Sequence, residues 1–525
     1  MVERDRHERV QYRFSPLERR GVIAGWRGGQ IASVAAGLVI GVLALRSRPS
    51  VGGVLVAVAC VAGGVALAFW PIRARTGEQW LPLVVRRVVA VGTGGRRQLA
   101  PGPGSGHVAN LGADGTEAGA SVTGPGPTVG RGTGRRTLFD GVEIVRVPSL
   151  PDRWAPDMGM VVDRSARAAA AVLAVRGHSF ALLGHREQDS TIAAWARVLS
   201  SMAREGSDVH RLQWIESCLP DDGGAVRRHR ADHAVLGQES AAGRSYQALL
   251  DESAPATRRH RVLLVLSIHT GRSSRAIRVA GGGTVGTGVV LGREILSLQR
   301  SLEVTDVTLD GVLGPGALVR VIREASSRTV DAEGGDDMRR PGPAGEPGAD
   351  PHPVPGWPWP MAVEPQWDAI RTDATWHTTY WIAEWPRVDV TPDFLGPLLF
   401  LPLRRTITVT MEPVSPSRAA RQVAQARTAD IADGELRRRN GFLTTARHTR
   451  EKESVEERDV ELSDGHAQYR FSGYVTVTAE SREELTAACA AVEQAAGQSR
   501  VELRLLYGEQ DVGFTCSLPL GRGLS

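Results

Sequence analysis

The stretch GGQIASVAAGLVIGVLALRSRPSVGGVLVAVACVAGGVALAFW (28–70) contains no acidic residue and only two basic residues, Arg46 and Arg48. The two arginines lie beside a proline and separate two uncharged segments. At 1.5 Å per residue, segment 30–45 forms a helix of about 24 Å and segment 51–70 one of about 30 Å. Because a bilayer core is roughly 30 Å thick, these lengths predict a transmembrane hairpin.

Two other interpretations were weighed for this stretch, a buried hairpin of a soluble protein and a cleaved signal peptide. An amphipathic soluble helix has a polar face, which both segments lack. A signal peptide has one apolar segment and then a small-residue cleavage site, whereas here a second apolar segment follows. Trp26, Trp70 and Trp80 stand near the outer ends, where indole rings favour the headgroup region. We therefore expect two spans, at about 28–46 and 51–71.

Arginine is more frequent on the two outer flanks of the hairpin than in its turn, which has Arg46 and Arg48. The positive-inside rule therefore predicts a multi-pass protein of the cytoplasmic membrane with both termini in the cytoplasm. The flanking arginines are Arg4, Arg6, Arg9, Arg13, Arg19, Arg20 and Arg27 before the hairpin, and Arg73, Arg75, Arg86 and Arg87 after it.

The net charge of +5 comes almost wholly from arginine, since Lys452 is the only lysine. Attraction to the anionic lipid of an inner leaflet is sufficient to explain a modest basic excess, so we expect no direct nucleic-acid binding. The four cysteines are widely separated and form no CxxC pair, which is typical of a reducing cytoplasm.

Changes in composition divide the sequence into six segments, two of them with the sequence character of α+β modules. Low-complexity Gly/Pro-rich stretches separate these modules from the hairpin and from each other. The segments are a cytoplasmic N-terminal arm (1–27), the hairpin (28–72), a juxtamembrane segment with a Gly/Pro-rich tether (73–136), a first module (137–330), an acidic and Pro-rich linker (331–356) and a second module (357–525).

The second module has the clearer pattern. Apolar and polar residues alternate in Thr406–Met411 and Gln468–Thr478, which predicts half-buried strands, and a third strand is expected at Val501–Leu506. Ser481 and Glu484 form a capping-box pattern before a helix. A polar stretch from Ser415 to Arg458, broken at Asn440-Gly441, predicts two projecting helices. This order indicates a split-βαβ, ferredoxin-like module.

The first module repeats this rhythm less clearly, and it cannot be aligned with the second residue by residue. An internal repeat therefore stays open. We expect strands at Glu143–Val147, Ala169–Leu183, Val209–Ile215 and Arg261–Ile268, and helices at Ser190–Arg204, Arg244–Ser253 and Gly288–Ser301.

No motif predicts catalysis, a cofactor or a metal. A Walker A loop needs a lysine after its glycines, and the only lysine stands in REKES. The run GGGTVGTG (281–288) lacks the context of a dinucleotide loop and is interpreted as a flexible loop before a helix at Val289. His229 and His233 would share a helix face but have no clear third ligand. Asp163, His185, Glu187 and Asp189 include no nucleophile with its base.

Several stretches resemble components of conjugation machines. The leader YRFSPLERRG (12–21), the hairpin and the G-x-x-W segment (77–80) resemble the PrgI-like small inner-membrane subunit of type IV secretion systems. The region from Leu138 onwards resembles the N-terminal, non-catalytic part of their secretion ATPase. The combination is most similar to an actinobacterial membrane-protein family encoded with conjugation-type ATPases, through HTTYWIAEWPR (377–387), RTITVTMEPVSP (405–416), RDVELSDGH (458–466) and SLPLGRGL (517–524).

This resemblance implies a non-catalytic scaffold to which a separately encoded P-loop ATPase docks, because a P-loop domain follows this region in those ATPases and none follows here. It also implies other membrane channel subunits as partners, and several copies around the ATPase ring. Trp381, Trp385, Glu461 and His466 are the candidate partner contacts, although for the tryptophans packing alone is the simpler interpretation.

Two alternatives remain from the sequence. A subunit of the actinobacterial type VII secretion core would also combine a two-helix anchor with a cytoplasmic domain. A membrane-tethered enzyme or sensor would use His229 and His233 or the glycine run.

Overall fold

The structure is a computed structural model, and it opens on the apolar stretch as two helices. Helix α1 spans Gly28–Ser47 and α2 spans Val51–Phe69, with Ser50 capping α2 through its hydroxyl. Both are long and apolar enough to cross a membrane. The residues described are 14, 28–47, 49–72, 75–92, 98–99, 109–110, 138–147, 158–177, 180–220, 226, 229–230, 233, 240–253, 258–327, 358–440 and 446–524.

Glycines let the backbones of α1 and α2 approach closely. A Cβ on Gly37 would lie 2.8 Å from the Cys60 carbonyl oxygen, and one on Gly64 would lie 2.9 Å from that of Ser33. Aliphatic side chains cover the outside of the pair, which we call the apolar hairpin. This close approach over small residues is the packing that helices use in lipid.

The rest of the described chain forms a mainly antiparallel sheet with helices, an α+β fold. A two-stranded ribbon, β1 (Pro71–Ile72) and β2 (Arg75–Thr76), and helix α3 (Gly77–Gly92) follow the apolar hairpin. The sheet contains β3 (Gln98–Leu99), β4 (Ala109–Asn110), β5 (Val142–Val147), β6 (Met158–Asp163), β7 (Ala168–Arg176), β8 (Val209–Pro220), β9 (Arg258–His269), β10 (Thr308–Val312), β11 (Ala362–Pro365), β12 (Ile370–Thr372), β13 (Thr375–Glu384), β14 (Arg405–Val414), β15 (Gln468–Ala479) and β16 (Glu502–Leu505).

Ten further α-helices connect or cover these strands in the described chain. They are α4 (His185–Met202), α5 (Ala241–Ser253), α6 (Ser274–Val279), α7 (Gly283–Leu302), α8 (Pro315–Ser326), α9 (Gly396–Leu399), α10 (Pro416–Asn440), α11 (Ala446–Ser463), α12 (Arg482–Gln498) and α13 (Gln510–Cys516).

Most strands of the sheet belong to two units, and four strands of each unit follow the same order. In unit 1 (138–327) the order is β10-β7-β9-β8, and in unit 2 (358–524) it is β16-β13-β15-β14. In chain order the four strands are β7, β8, β9 and β10 in unit 1 and β13, β14, β15 and β16 in unit 2. In each unit a helix joins the first of these strands to the second, and helical segments join the second to the third and the third to the fourth. The strand connectivity of one unit is therefore repeated in the other, which the sequences alone do not reveal.

The two units join through their equivalent strands β8 and β14, which pair antiparallel from Arg405 opposite Cys218 to Met411 opposite Leu212. Arg405 is fully buried at this seam, donates to the Glu216 carboxylate and to the Leu399 carbonyl, and so carries a charge from unit 2 into unit 1. The other carboxylate oxygen of Glu216 lies 2.7 Å from His260 Nδ1.

The sheet curls so that its two ends approach each other. Phe139 precedes β5 and Trp359 precedes β11, near opposite ends of the strand order, yet their rings stack with centroids 4.4 Å apart. Helix α8 lies inside this curl, where its apolar side chains share one core with Phe514 and Leu518. Helices α4 and α7 cover the outer face of unit 1, and α12 covers that of unit 2.

Residues 517–524, which we call the tail, cross the inner face from unit 2 to unit 1. The Gln213 side chain donates to the Cys516 and Leu518 carbonyls and accepts from the Gly521 amide. Arg522 then forms two hydrogen bonds of 2.7 and 2.9 Å to the buried carboxylate of Asp163. The tail therefore links the two units a second time.

Several local expectations from the sequence are met. The alternation at Thr406–Met411 corresponds to β14, the polar stretch is the helix pair α10–α11, and Ser481 caps α12 by accepting from the Glu484 amide at 3.1 Å. The linker 331–356 lies outside the described residues. Within the segment 73–136, described residues form β2, α3, β3 and β4.

Two local predictions in unit 1 are wrong. The strand expected at Ala169–Leu183 ends at Arg176, and a 3₁₀ turn occupies Phe180–Leu182. The run 281–288 is not a flexible loop, because α7 begins at Gly283. A Cβ on Gly286 would lie 2.3 Å from the Ile277 carbonyl oxygen, so glycine is needed there for close packing.

We predict that Arg522→Ala destabilises the protein, because it leaves the Asp163 carboxylate, 2% exposed, without its cation. The expected loss is on the order of 3 kcal/mol in the free energy of unfolding, measured by thermal unfolding in detergent. The matched control is Arg164→Ala, which removes an exposed pair with Glu143 and should cost under about 1 kcal/mol. Equal losses in the two variants would contradict the role given to the tail.

The same pair makes stability depend on pH. Burial raises the pKa of Asp163, but hydrogen bonds from Ser165 and Ala166 and the charge of Arg522 outweigh it and lower that pKa below 3.8. The pair therefore contributes fully above the pKa of the unfolded chain and is lost as pH falls through the lower folded value. The stability difference between wild type and Arg522→Ala should shrink below about pH 3.8.

Candidate partner-binding surface

Helices α10 and α11 form a projecting hairpin that packs chiefly on itself. Its small core contains Val423, Ala426 and Val455, and an ion pair of 2.5 Å joins Arg427 to Asp459. Most other described side chains of the two helices are exposed, because the sequence there is polar on nearly every face. A long helix pair with so small a core presents its outer surface to solvent or to a partner.

The base of the projecting hairpin is fixed to both units. The Ser417 hydroxyl donates to the Glu205 carboxylate at 3.1 Å, and the Tyr469 hydroxyl donates to the Leu199 carbonyl at 2.6 Å. Burial raises the pKa of Tyr469 above its usual value, so this phenol keeps its proton at physiological pH. The hairpin therefore emerges from the seam region at a defined base.

Two of the predicted contact residues, Glu461 and His466, lie together at the end of α11. Both are exposed, and the His466 amide donates to the Glu461 carbonyl at 2.9 Å. Exposed aliphatic side chains occur on the same helix pair, Val460 with 61% of its surface exposed and Ile431 with 74%. This surface therefore combines exposed charged side chains with two exposed aliphatic ones.

Trp385, the third predicted residue, belongs to an aromatic socket formed with Phe394 and Phe471. The socket holds Phe14 from the N-terminal arm, whose ring centroid lies 5.2 Å from Trp385 and 5.5 Å from Phe394. Gly473 lies directly below, since a Cβ there would be 2.8 Å from the Trp385 ring. The Trp385 ring therefore already contacts a residue of its own chain, Phe14.

Trp381 lies on the opposite face of the sheet from Trp385. Its indole N–H donates to the Ser472 hydroxyl at 3.0 Å, and the Arg504 guanidinium lies 5.6 Å from its ring. Ser472 follows Phe471 in β15, and successive side chains of a strand point to opposite faces. The structure thus brings Glu461 near His466 but does not join the two tryptophans.

The titratable groups buried in unit 2 are engaged in packing. His377 lies between the hydroxyls of Thr372 and Thr478, at 2.7 and 3.0 Å, and against the ring of Phe514. Burial holds the pKa of His377 well below its usual value, so the imidazole is neutral. A neutral, fully enclosed ring has the surroundings of a core histidine.

The other groups singled out in the sequence do not assemble into a site. The rings of His229 and His233 stack at 4.4 Å, and no group of three or more metal-ligating side chains occurs among the described residues. Asp163 is paired with Arg522 in the tail, whereas the Glu187 carboxylate accepts the Gly184 amide at the start of α4.

Sequence reasoning missed the long-range contacts that Phe14 and Arg405 make. Phe14 stands in the YRFSP leader, where an aromatic residue among arginines was available as a signal, but its socket is assembled from three distant segments. Arg405 begins β14, and its burial depends on β8 of unit 1, which pairs with that strand and supplies Glu216.

We predict that Phe14→Ala releases the N-terminal arm, because the socket then loses the ring that fills it. Trypsin should cleave after Arg13, Arg19 or Arg20 several-fold faster in detergent-solubilised protein. Trp385→Ala should have the same effect, and the double variant should add little, because both changes break one contact. The control Phe400→Ala alters an exposed ring and should leave the rate unchanged. Unchanged cleavage in Phe14→Ala would contradict the contact.

No protein-family model matches the chain, and no curated protein matches it.

Proposed function

We propose that this protein is a non-catalytic, membrane-anchored scaffold of a conjugation or type IV secretion-like machine, and that it docks a separately encoded P-loop ATPase. The observation that carries the proposal is the projecting hairpin, a long polar helix pair with a fixed base and with two exposed aliphatic residues, Val460 and Ile431, among its charged side chains. The apolar hairpin holds this surface at the membrane, where the ATPase would engage it. Other channel subunits and further copies of the chain complete the assembly.

The membrane placement in this proposal is a two-span topology with both termini in the cytoplasm. Its support is the length and apolar surface of α1 and α2, together with the excess of arginine on the outer flanks. The Gln30 side chain donates to the Ala68 carbonyl, so the start of α1 lies beside the end of α2. The N-terminal arm and the units then lie on one side of the bilayer.

We further infer that each unit is a split-βαβ, ferredoxin-like module. The strand order β10-β7-β9-β8 and its counterpart β16-β13-β15-β14 support this inference, since the first and second strands are separated by the third. Such modules serve many unrelated functions, so the fold by itself does not favour an ATPase partner. The alternative membership, in a type VII secretion core, shares the anchor and differs in the partners.

The docking surface can be tested by site-specific crosslinking. We expect a photo-reactive residue at Glu461 to crosslink to a protein that carries a Walker A motif, in membranes of the native host. The variants Val460→Asp and Glu461→Arg should reduce co-purification of that ATPase at least several-fold, because they place charge on an apolar contact and reverse a surface charge. Trp385 is a poor choice here, since its loss also frees Phe14.

The matched control is Val304→Asp, which charges an equally exposed valine in unit 1. It should leave ATPase recovery unchanged. Loss of recovery in the control, or crosslinks only to type VII core subunits, would contradict the docking proposal.

The topology can be tested with single cysteines in protoplasts. Cys60 and Cys489 are replaced by alanine, and Cys218 and Cys516 remain because they are buried. We expect Ser47→Cys, at the turn end of α1, to react with a membrane-impermeant maleimide in intact protoplasts. Val304→Cys should react only after lysis. Labelling of both, or of Val304→Cys alone, in intact protoplasts would exclude this orientation.

A further inference from the structure

Helix α3 carries an apolar stripe on its outward face. Its members recur at helical spacing, so they lie along one side of the helix. Their exposed fractions range from 43% to 62%, which is high for leucine and valine in a helix attached to a folded protein. The stripe consists of Leu81, Val84, Val85, Val88 and Val89.

The opposite face of α3 is fixed to unit 2. The Trp80 ring stacks on Trp367 with centroids 5.8 Å apart and lies 5.7 Å from Tyr507. Farther along the helix, Arg86 forms an ion pair of 2.6 Å with Asp511, and Arg87 donates to the Pro365 carbonyl at 2.9 Å. These contacts hold α3 in place, so the stripe cannot turn inwards without breaking them.

The stripe is continuous with the outer surface of the apolar hairpin. Helix α3 packs against both α1 and α2, at the end where α2 terminates. Gly77 begins α3 so close to α2 that a Cβ there would lie 2.9 Å from the Leu67 carbonyl oxygen. Exposed Leu67 and Phe69 at the end of α2 therefore lie next to the start of the α3 stripe.

We propose that the α3 stripe lies in the interfacial layer of a lipid bilayer with anionic headgroups, so that α3 is held between the membrane and unit 2. This inference rests on the proposed membrane placement of the apolar hairpin. An amphipathic helix in the plane of the interface buries its apolar face to a depth of roughly 5–10 Å. Arg86, half exposed at the border of the stripe, keeps its ion pair with Asp511 and so holds α3 to unit 2 beside the lipid.

The chemistry of the stripe favours lipid over a protein partner. All five of its side chains are aliphatic, whereas protein-binding patches are enriched in aromatic residues and arginine at their centres. The aromatic residue of this helix, Trp80, points instead into unit 2. The sequence also places Arg73 and Arg75 between α2 and α3, where an inner leaflet would attract them.

This arrangement would fix the direction of the whole sheet relative to the membrane. Because α3 contacts Trp367, Pro365 and Asp511, the β11 end of unit 2 and the start of α13 would face the bilayer. The projecting hairpin would then stand at a set orientation rather than swing on a tether.

The test uses full-length protein with Cys60 and Cys489 replaced by alanine, reconstituted in vesicles of phosphatidylcholine and phosphatidylglycerol. An environment-sensitive dye is attached to Val88→Cys on the stripe, to Val58→Cys on the exposed side of α2, and to Val304→Cys in unit 1 as the aqueous control. We expect the dye on Val88→Cys to show a blue shift relative to Val304→Cys. We also expect several-fold stronger quenching by a lipid-borne nitroxide, and weaker quenching by iodide.

Four results would overturn the proposal. Iodide quenching at Val88→Cys equal to that at Val304→Cys means that the stripe faces water. Protection from both quenchers means that protein, a second copy or another subunit, covers it. If Val58→Cys is quenched by the nitroxide and Val88→Cys is not, the membrane span stands and only the role of α3 fails. If neither is quenched, the membrane placement fails as well.

A variant pair separates binding from folding. The dye is attached here to Val84→Cys, a stripe position that neither aspartate replaces. Val85→Asp together with Val88→Asp should lower the quenching of this dye by the lipid-borne nitroxide several-fold. Val279→Asp, which charges an 80% exposed valine in unit 1, should leave it unchanged. Equal effects of both changes would show that the quenching does not report on the stripe.

Discussion

The antiparallel pairing of β8 with β14 is the interaction on which the remaining architecture depends. It converts two units into one sheet and places Arg405 and Glu216 where solvent cannot reach them. A buried charge is tolerated only with a partner and further hydrogen bonds, and here the two partners belong to different units. Separating the units would therefore take Glu216 away from Arg405 and leave two strand edges unpaired.

The curl of the sheet follows from this joining of units. Twist accumulates from strand to strand, and over so many strands it brings the β5 and β11 ends together, where Phe139 meets Trp359. The space inside is filled by α8 and the tail, so the interior of the sheet is occupied by the chain itself. The surfaces considered for binding are therefore on the outside, namely the projecting hairpin and the α3 stripe.

The apolar hairpin and the projecting hairpin are connected through unit 2. Helix α3 contacts unit 2 through Trp80 and Arg86, the N-terminal arm contacts it through Phe14, and the projecting hairpin leaves it between β14 and β15. Both segments that flank the apolar hairpin thus have a described contact with the same unit. A scaffold that positions a partner at a membrane needs this kind of short, packed connection.

Much of the local structure could be predicted from sequence because it depends on neighbouring residues. Alternation identified β14, a Ser-x-x-Glu pattern identified the start of α12, and uninterrupted apolar length identified α1 and α2. Two candidate contact residues, Glu461 and His466, come from the stretch RDVELSDGH (458–466). That stretch is polar, so its exposure could be predicted from neighbouring residues alone. These features need no knowledge of what lies across the fold.

The tertiary structure alone decided which distant segments meet. The equivalence of the two units is a property of strand order, which their sequences do not show. Two features depend on contacts between segments far apart in the chain, namely the burial of Arg405 and the packing of Phe14 in the Trp385 socket. The helical start at Gly283 depends on local close packing, which no periodicity encodes. The sequence by itself determined the two apolar helices and most of the element types, because these depend on neighbouring residues, and long-range packing determined which surfaces are exposed.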